Sequence, residues 1–313
     1  MSTMKAVRIH AYGGPELLHY EDVPLPSFKP DDLLIRVRAA AVNPVDWKIR
    51  EGYLQGFLNH HLPLILGWDV SGEVVEAGPE VSAFAVGDEV YARPNIARDG
   101  AYAEYIAIKA SEVARKPATL DHLRAAAVPL AALTAWQALV DIAQLQAGQT
   151  VLIHAAAGGV GSFAVQLAKI LGARVIATAS AVNTGIAAEL GADQFIDYTR
   201  THFEEVAKDV DVVLDTVGGD TQDRSWRVLK PGGILVSILN PPPETAAAAH
   251  GARGAFVFVQ PNAAQLASIS QLIDEGRMKP VIHTVLPLSE VRQAHALSQG
   301  GHACGKIVLH VAD

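Results

Sequence analysis

Residues Val151–Gly172 read VLIHAAAGGVGSFAVQLAKILG, and their pattern is the most informative in the chain. A short apolar run, Val151–Ile153, leads into a turn of alanine and glycine. After Gly161 the apolar residues recur at the spacing of a buried helix and do not alternate as in a strand. A strand, a glycine-rich turn and a helix typically open a dinucleotide-binding unit, where small residues let the backbone approach a pyrophosphate. We therefore predict nucleotide binding here, with a purely structural turn as the alternative.

The turn has the spacing of the six-residue dinucleotide fingerprint, with alanine in place of its first glycine. Its predicted cofactor contacts are Ala156, Ala157, Gly158, Gly159, Val160 and Gly161.

Strand-like and helix-like segments alternate after this turn, which indicates a doubly wound parallel sheet with its ligand at the carboxyl ends of the strands. The low-complexity segment Pro241–Gly254 reads as a mobile surface loop, Ala255–Val259 as a further strand and Asn262–Glu275 as a helix. Before about Asp121, short runs rich in β-branched residues are separated by glycine, proline and aspartate, as in a β-rich domain. The C-terminal run Lys306–Val311 is β-type, and we expect it to rejoin that first domain.

The composition bounds the possible partners. The chain has 313 residues, half of them apolar, and a net charge of −8, which gives no reason to expect nucleic acid or an anionic membrane as partner. A single cysteine, Cys304, excludes a disulfide framework and a cysteine zinc cluster within one chain. The N-terminus lacks the apolar core of a signal peptide, and the uncharged run Ala125–Val140 is too short to span a bilayer. We predict a soluble, cytoplasmic protein.

Seven segments together resemble the zinc-free medium-chain dehydrogenase/reductase superfamily, and within it the NADPH:quinone oxidoreductase and alkenal (enone) reductase branch. They are NPVDWK (43–48), LGWDVSGEVVEAG (66–78), VGDEVYA (86–92), HAAAGGVG (154–161), LGADQFIDY (190–198), DTVGG (215–219) and GKIVL (305–309). The resemblance runs nearly end to end. It implies an α/β protein with a GroES-like β-rich catalytic domain, residues 1–122 and 263–313, and a Rossmann domain, residues 123–262. The active site would lie in the cleft between them.

The same resemblance argues against a metal. Zinc-dependent relatives carry cysteine, histidine and cysteine or acidic ligands at positions that look like Asn43, Trp68 and Leu130 here. None of these side chains replaces a thiolate or an imidazole in a stable zinc site, so we predict no metal. Without a Lewis acid, oxidation of an alcohol is poorly supported, whereas a quinone or enone delocalises an incoming hydride onto its own oxygen. We predict two-electron, NAD(P)H-dependent reduction of such an electrophilic small molecule.

The catalytic candidates are Asn43, Lys48 and Tyr53, from the segment that the family places beside the nicotinamide. Asn43 occupies a lost ligand position and is expected to face the cleft. Lys48 either orients an oxyanion, donates a proton or is a solvated surface lysine. Tyr53 either protonates the product or anchors a loop, and solvent is the alternative proton donor. Asp46 in the same segment is expected to bind backbone N–H groups.

The strand after the glycine-rich turn ends Thr178-Ala179-Ser180, without the carboxylate that selects NAD. Ser180 can donate to a 2′-phosphate, and Tyr198 resembles a family position that contacts it. We therefore predict NADPH, with NADH possible. Further cofactor contacts implied by the resemblance, each with core packing as the alternative for its apolar members, are Thr134, Val217, Gly218, Leu239, Asn240, Phe258, Val259 and Lys306.

Two rival functions stay open. A trans-enoyl thioester reductase would need a basic cluster for a CoA or carrier arm, and the sequence has no dedicated one. A crystallin-like or redox-sensing protein would bind nucleotide with little turnover. The family often pairs Rossmann sheets edge to edge, so we expect a homodimer through a strand such as Ala255–Val259.

Overall fold

The computed structural model describes residues 3–312 and divides into two compact units. The first unit holds the chain up to Leu130, then Gln260–Gly276 and the residues from Pro280 onward; the second holds Ala131–Val259 and Arg277–Lys279. The strands within the described residues are β1 (Thr3–Ile9), β2 (His19–Pro24), β3 (Asp32–Val42), β4 (Leu64–Ile65), β5 (Val70–Ala77), β6 (Glu89–Ala92), β7 (Tyr105–Lys109), β8 (Val113–Arg115), β9 (Thr150–Ile153), β10 (Arg174–Ala179), β11 (Gln194–Asp197), β12 (Val210–Asp215), β13 (Leu229–Ser237), β14 (Arg253–Phe256), β15 (Ile282–Pro287) and β16 (Lys306–His310). The α-helices in the same range are α1 (Pro44–Arg50), α2 (His122–Ala126), α3 (Pro129–Trp136), α4 (Gly159–Ile170), α5 (Thr184–Glu189), α6 (Phe203–Val206), α7 (Gly219–Ser225), α8 (Glu244–Ala249), α9 (Ala263–Asp274) and α10 (Val291–Gln299).

The first unit is built on a largely antiparallel sheet in the order β15-β16-β3-β5-β6-β8, with β7 also paired to β3, and a smaller sheet in the order β2-β1-β4. Its longest strand, β3, pairs with the last strand of the chain, so that Ile307 lies opposite Val42 and Leu309 opposite Ala40. The prediction that the C-terminal run rejoins the first domain is therefore confirmed, and the β-rich architecture is the one expected.

The first unit extends past residue 122 because α2 packs on its sheet. Asp121 caps this helix by accepting a hydrogen bond from the backbone N–H of Arg124 at 2.7 Å. The end of this helix belongs to a cluster of buried side chains that also includes residues of β3 and β16. Its members are Ala39, Ala41, Ala126, Ala127 and Val308. Burial of these alanines makes the helix part of the β-rich unit.

The second unit contains a parallel sheet in the order β11-β10-β9-β12-β13-β14. Counted from its own first strand, β9, this is the order 3-2-1-4-5-6 of a doubly wound dinucleotide-binding fold, as the alternating pattern predicts. The chain reverses direction across the sheet between β9 and β12, and the crevice at this switch point is where such folds bind their ligand.

Pro241–Gly254 differs from the prediction of a mobile loop, because it contains α8 and the start of β14. The helix begins after Pro243 and consists largely of alanine, the residue with the highest helix propensity. Ala247 is buried against a core cluster that includes Trp226 and Leu235. The following strand ends at Phe256, three residues before the predicted end. No helix in the described part of the chain has both the length and the hydrophobicity needed to cross a bilayer.

Candidate active site

The glycine-rich turn connects β9 to α4 and is fixed by the neighbouring strand. The backbone N–H of Ala156 donates to the carbonyl of Thr178 on β10 at 2.9 Å. Ala155 has φ of 45°, in the left-handed region that residues with a side chain seldom adopt, so the turn is strained where it leaves β9. Within α4, the N–H groups of the first turn have no helical acceptor. With the helix dipole, these donors form a site for a phosphate anion.

Gly161 is required by the close approach of α4 to this turn. A Cβ atom at this position would lie 2.7 Å from the Cα of Ala156 and closer still to the carbonyl oxygen of Ala155. Both neighbours are backbone atoms, which cannot rotate away as a side-chain end could. The structure thus places Ala156, Gly158, Gly159, Val160 and Gly161 together around one helix N-terminus, and Ala157 lies in the same turn.

A second loop, after β12, lies at the switch point and is organised by Asp215. One carboxylate oxygen of this fully buried residue accepts the backbone N–H groups of Val217 at 3.0 Å and Gly218 at 2.8 Å. Gly218 has φ of 77°, and a Cβ atom there would lie 3.0 Å from Cδ1 of Leu239. The structure therefore brings three predicted cofactor residues together. Asp215 is missing from the predicted site, although an aspartate that ends a buried strand ahead of Val-Gly-Gly was a usable signal.

The two residues expected at the 2′-phosphate also lie close together. Ser180 directly follows β10, and the N–H of Tyr198 donates to the carbonyl of Ala179 at 3.3 Å. The phenol of Tyr198 is exposed. Asp197, which sequence reasoning missed, ends β11 beside them and accepts from the hydroxyl and the N–H of Thr199, and these hydrogen bonds lower its pKa. The exposed guanidinium of Arg200 lies 3.7 Å from its carboxylate.

The remaining predicted contacts of the second unit are spread over three elements. Thr134 is buried on α3, Leu239 and Asn240 follow β13, and Phe258 and Val259 follow β14. Leu239 and Asn240, like Phe258 and Val259, therefore lie beyond the carboxyl ends of parallel strands. The glycine-rich turn follows the carboxyl end of β9 in the same sheet. Their contacts with a cofactor, and that of Thr134, stay predictions.

In the first unit, Asn43 and Asp46 form the N-terminal cap of α1. The N–H of Asn43 donates to Oδ2 of Asp46 at 2.8 Å, as expected for an aspartate that binds backbone N–H groups. Tyr102 donates its hydroxyl to the same oxygen at 2.6 Å. Burial raises the pKa of Asp46 to about 7, and these two hydrogen bonds oppose the rise.

The side chain of Asn43 lies in a buried network with Asp69 and Lys306. The Lys306 ammonium donates to Oδ1 of Asn43 and to Oδ2 of Asp69, the latter at 2.8 Å. Since an ammonium has only donors, the amide of Asn43 must turn its nitrogen to Asp69, where the distance is 2.8 Å. Asn43 is therefore a capping and network residue, and its catalytic role stays a prediction. The ammonium of Lys306 is buried on these partners, and its contact with the cofactor stays a prediction.

The positions of the lost metal ligands do not fit a zinc ion. Trp68 is buried, donates its indole N–H to the carbonyl of Arg98 at 3.2 Å and stacks on His60. Leu130 contributes its backbone N–H, which donates to Asp69 at 2.6 Å. The ammonium of Lys306 already supplies a positive charge to that carboxylate, and a second cation beside it would be repelled. No cluster of three or more histidine, cysteine or acidic residues suited to a metal occurs in the described residues.

Lys48 and Tyr53 lie in and just after α1, with Trp47 beside both of them. The Lys48 ammonium lies 5.7 Å from the centre of a Trp47 ring, and the Tyr53 ring contacts the same indole edge to face at 6.2 Å. Lys48 is half-buried and burial lowers its pKa, which makes its proton more acidic. Tyr53 is exposed. The structure thus places these two candidates near each other, and their action on a substrate stays a prediction.

Comparison with known proteins supplies the family. Residues 29–118 match the model described as alcohol dehydrogenase GroES-like domain, and residues 190–309 match that described as zinc-binding dehydrogenase. NADPH-dependent alkenal/one oxidoreductase of Arabidopsis thaliana is 38% identical over 98% of this chain and 79% of its own length. NAD(P)H oxidoreductase RTN4IP1 of Mus musculus is 35% identical over 99% of this chain and 90% of its own.

Among solved structures, the quinone oxidoreductase from Coxiella burnetii superposes with a TM-score of 0.92 at 36% identity. The superposition covers 99% of this chain and all of the other. These similarities extend over both units and agree with the glycine-rich turn and the strand order described above. The chain belongs to the medium-chain dehydrogenase/reductase superfamily.

Proposed function

We propose that the protein is an NADPH-dependent, metal-free oxidoreductase that transfers a hydride to a quinone or to the double bond of an α,β-unsaturated carbonyl. The observation that carries this proposal is the Lys306 ammonium bound to Asn43 and Asp69, because it replaces the donor set that a catalytic zinc requires. The names of the relatives, alkenal/one oxidoreductase, quinone oxidoreductase and NAD(P)H oxidoreductase, support the same chemistry.

The residues of the second unit fit a dinucleotide. The first-turn N–H groups of α4 would bind the diphosphate, and Gly161 lets the backbone reach it. Ser180 and Tyr198 would flank the 2′-phosphate of the adenosine ribose. Bound NADPH supplies the hydride.

The protein has little covalent chemistry to perform on such a substrate. An electron-poor alkene or quinone spreads the incoming charge onto its oxygen, so the chain needs to hold the acceptor, provide a hydrogen-bond donor and allow protonation. Lys48 is the proposed donor, because its partly desolvated ammonium can release a proton more readily than an exposed one. An alcohol substrate would require removal of a hydroxyl proton and stabilisation of an alkoxide, which zinc performs in zinc-dependent enzymes.

The test is an acceptor panel under identical conditions. NADPH consumption is measured with a naphthoquinone, a 2-alkenal, an enoyl thioester and a simple alcohol with NADP⁺, alongside direct NADPH binding. Turnover of the quinone or the alkenal is expected. Turnover of the alcohol alone would refute the proposal, preference for the thioester would favour an enoyl thioester reductase, and binding without turnover would favour a non-catalytic role.

Ser180→Asp is expected to lower kcat/KM for NADPH by about 100-fold, because a carboxylate beside the 2′-phosphate repels it by several kcal/mol. The value for NADH should stay constant or rise, since the new carboxylate can accept from ribose hydroxyls. Ser180→Asn is the matched control, of similar size and without charge, and should keep the preference for NADPH. Initial rates with both nucleotides give the ratio of kcat/KM for NADPH to kcat/KM for NADH. An unchanged ratio in the aspartate variant would place the 2′-phosphate elsewhere.

Lys48→Met is expected to lower kcat by about 10- to 100-fold if the ammonium donates the proton. Because the acid acts in its charged form, the wild-type rate should fall as the pH rises through the pKa of Lys48, which burial holds below its ordinary value of 10.5. The methionine variant should lose this alkaline fall in its pH profile. Lys48→Arg should keep the positive charge and much of the affinity for the acceptor substrate. A kcat and pH profile equal to wild type in the methionine variant would leave solvent as the donor.

We also propose a homodimer paired through β14, which lies at the edge of the parallel sheet with Arg253 and Gly254 exposed. Light scattering should then give twice the chain mass of 33.1 kDa. The cytoplasmic location stays a prediction.

A further inference from the structure

His154, the first residue after β9, is fully buried and makes hydrogen bonds with both ring nitrogens. Its Nδ1 lies 3.0 Å from Oγ1 of Thr178 on β10, and its Nε2 lies 2.9 Å from Oγ of Ser225 at the end of α7. The ring also contacts Phe203 edge to face, with centroids 4.6 Å apart. The imidazole therefore bridges β10 and α7.

The direction of these hydrogen bonds follows from the hydroxyl groups. Ser225 uses its one hydrogen to donate to the carbonyl of Thr221 at 2.6 Å, so its oxygen must accept from His154. Nε2 thus carries the hydrogen, and Nδ1 accepts from the hydroxyl of Thr178. A neutral imidazole satisfies every partner, in agreement with burial, which lowers the pKa of His154 to about 4.

The backbone of the same residue holds the two loops at the switch point. The N–H of His154 donates to Leu214 on β12 at 3.1 Å, and its carbonyl accepts from the hydroxyl of Thr216 at 2.7 Å. The next residue, Ala155, is the strained one that starts the phosphate turn. Thr178 accepts the N–H of Ala156 through its carbonyl, so the residue that orients the imidazole also positions the turn.

We infer that His154 is a positioning residue for the cofactor, one that sets the distance between the phosphate turn and the loop after β12. Its side chain bridges Thr178, which holds the turn, and Ser225 on α7, the helix that follows the loop. This inference rests on the proposed function, since it assumes that both loops contact NADPH. The imidazole itself faces protein groups and acts only through the loops. A strained turn keeps its geometry only when its surroundings hold it, and His154 is the adjoining residue that does so with both side chain and backbone.

Thr178→Val tests the inference, because valine has the shape of threonine and leaves Nδ1 without a donor. The dissociation constant of NADPH, measured by fluorescence titration without turnover, is expected to rise about tenfold. At saturating NADPH, kcat and the KM of the quinone should stay unchanged. Ser225→Ala should have a similar effect, and the double variant should be little worse than either single one, since all three act through one imidazole. Thr178→Ser, which keeps the hydroxyl, should restore binding.

The matched control is Asp211→Asn, near the amino end of β12 and therefore away from the loops at the carboxyl ends of the strands. One oxygen of Asp211 accepts the N–H of Thr150 at 2.9 Å. The other accepts from the Gln149 amide and pairs with the Lys230 ammonium. Asparagine keeps only one acceptor oxygen and no charge, so stability should fall without a change in the dissociation constant of NADPH. Variants at Thr178 and Ser225 that lose stability to the same extent as this control, yet bind NADPH as the wild type does, would overturn the inference. Failure of the wild-type protein to bind NADPH would instead refute the proposed function.

Discussion

Lys306→Met is expected to lower the free energy of unfolding by about 3–5 kcal/mol, the usual cost of leaving one partner of a buried ion pair alone. Methionine fills a similar volume, but it leaves the fully buried carboxylate of Asp69 without its cation and Oδ1 of Asn43 without a donor. The loss should be measured by denaturant unfolding followed through tryptophan fluorescence.

The chain offers a control with the same ion-pair distance. Lys5 and Asp22 are also 2.8 Å apart, but their side chains are 42% and 63% exposed, against 4% and 0% for Lys306 and Asp69. Lys5→Met should therefore change stability by no more than about 1 kcal/mol. Adding Asp69→Asn to Lys306→Met removes the unpaired charge and should recover much of the loss. Equal stability of Lys306→Met and wild type would contradict the network, and so would rescue of the variant by added zinc.

Gly161→Ala is expected to weaken NADPH binding by at least about 100-fold, because the added methyl group pushes α4 away from the turn and displaces the N–H donors aimed at the diphosphate. Displacement of a phosphate site by a fraction of an ångström affects several charge-assisted hydrogen bonds at once. Fluorescence titration with NADPH gives the dissociation constant, and circular dichroism checks that the fold is retained.

Gly185→Ala is the control for this experiment. Gly185 lies on the short helix α5 of the same unit, and nothing lies within 4 Å of the position of an added Cβ atom. Alanine there should leave NADPH binding unchanged and stabilise the fold by up to about 1 kcal/mol, since glycine is a poor helix former. Wild-type affinity in Gly161→Ala would mean that the turn does not hold the diphosphate.

Local patterns were sufficient to predict the nucleotide-binding half. The segment from Val151 to Gly172 contains its strand, turn and helix within one run, and the alternation that follows predicts the parallel sheet. Pro241–Gly254 shows where local reasoning failed. Its three consecutive prolines and its glycines favoured a loop, but Ala247 packs in the core and selects the helix. Tertiary burial outweighed the turn residues.

The network around Asn43 could not be predicted from local sequence. Asn43 and Lys306 are separated by 263 residues, and a lysine in a sequence gives no sign that its ammonium is buried. The resemblance assigned Asn43 to the substrate and Lys306 to the cofactor, and it gave no sign that the two side chains meet at Asp69. Only the pairing of β16 with β3 brings the ammonium to Asp69.

That pairing also has a consequence for synthesis on the ribosome. The strands of the parallel sheet lie between Thr150 and Phe256 and are complete before the C-terminal strand emerges, so the second unit can fold while translation continues. The first unit, although it begins at the N-terminus, must wait for β16 to close its sheet and to deliver the cation that neutralises Asp69. A nascent chain that stops short of Lys306 therefore carries a folded second unit and an incompletely folded first unit. We expect proteases to cleave such a product in its first unit.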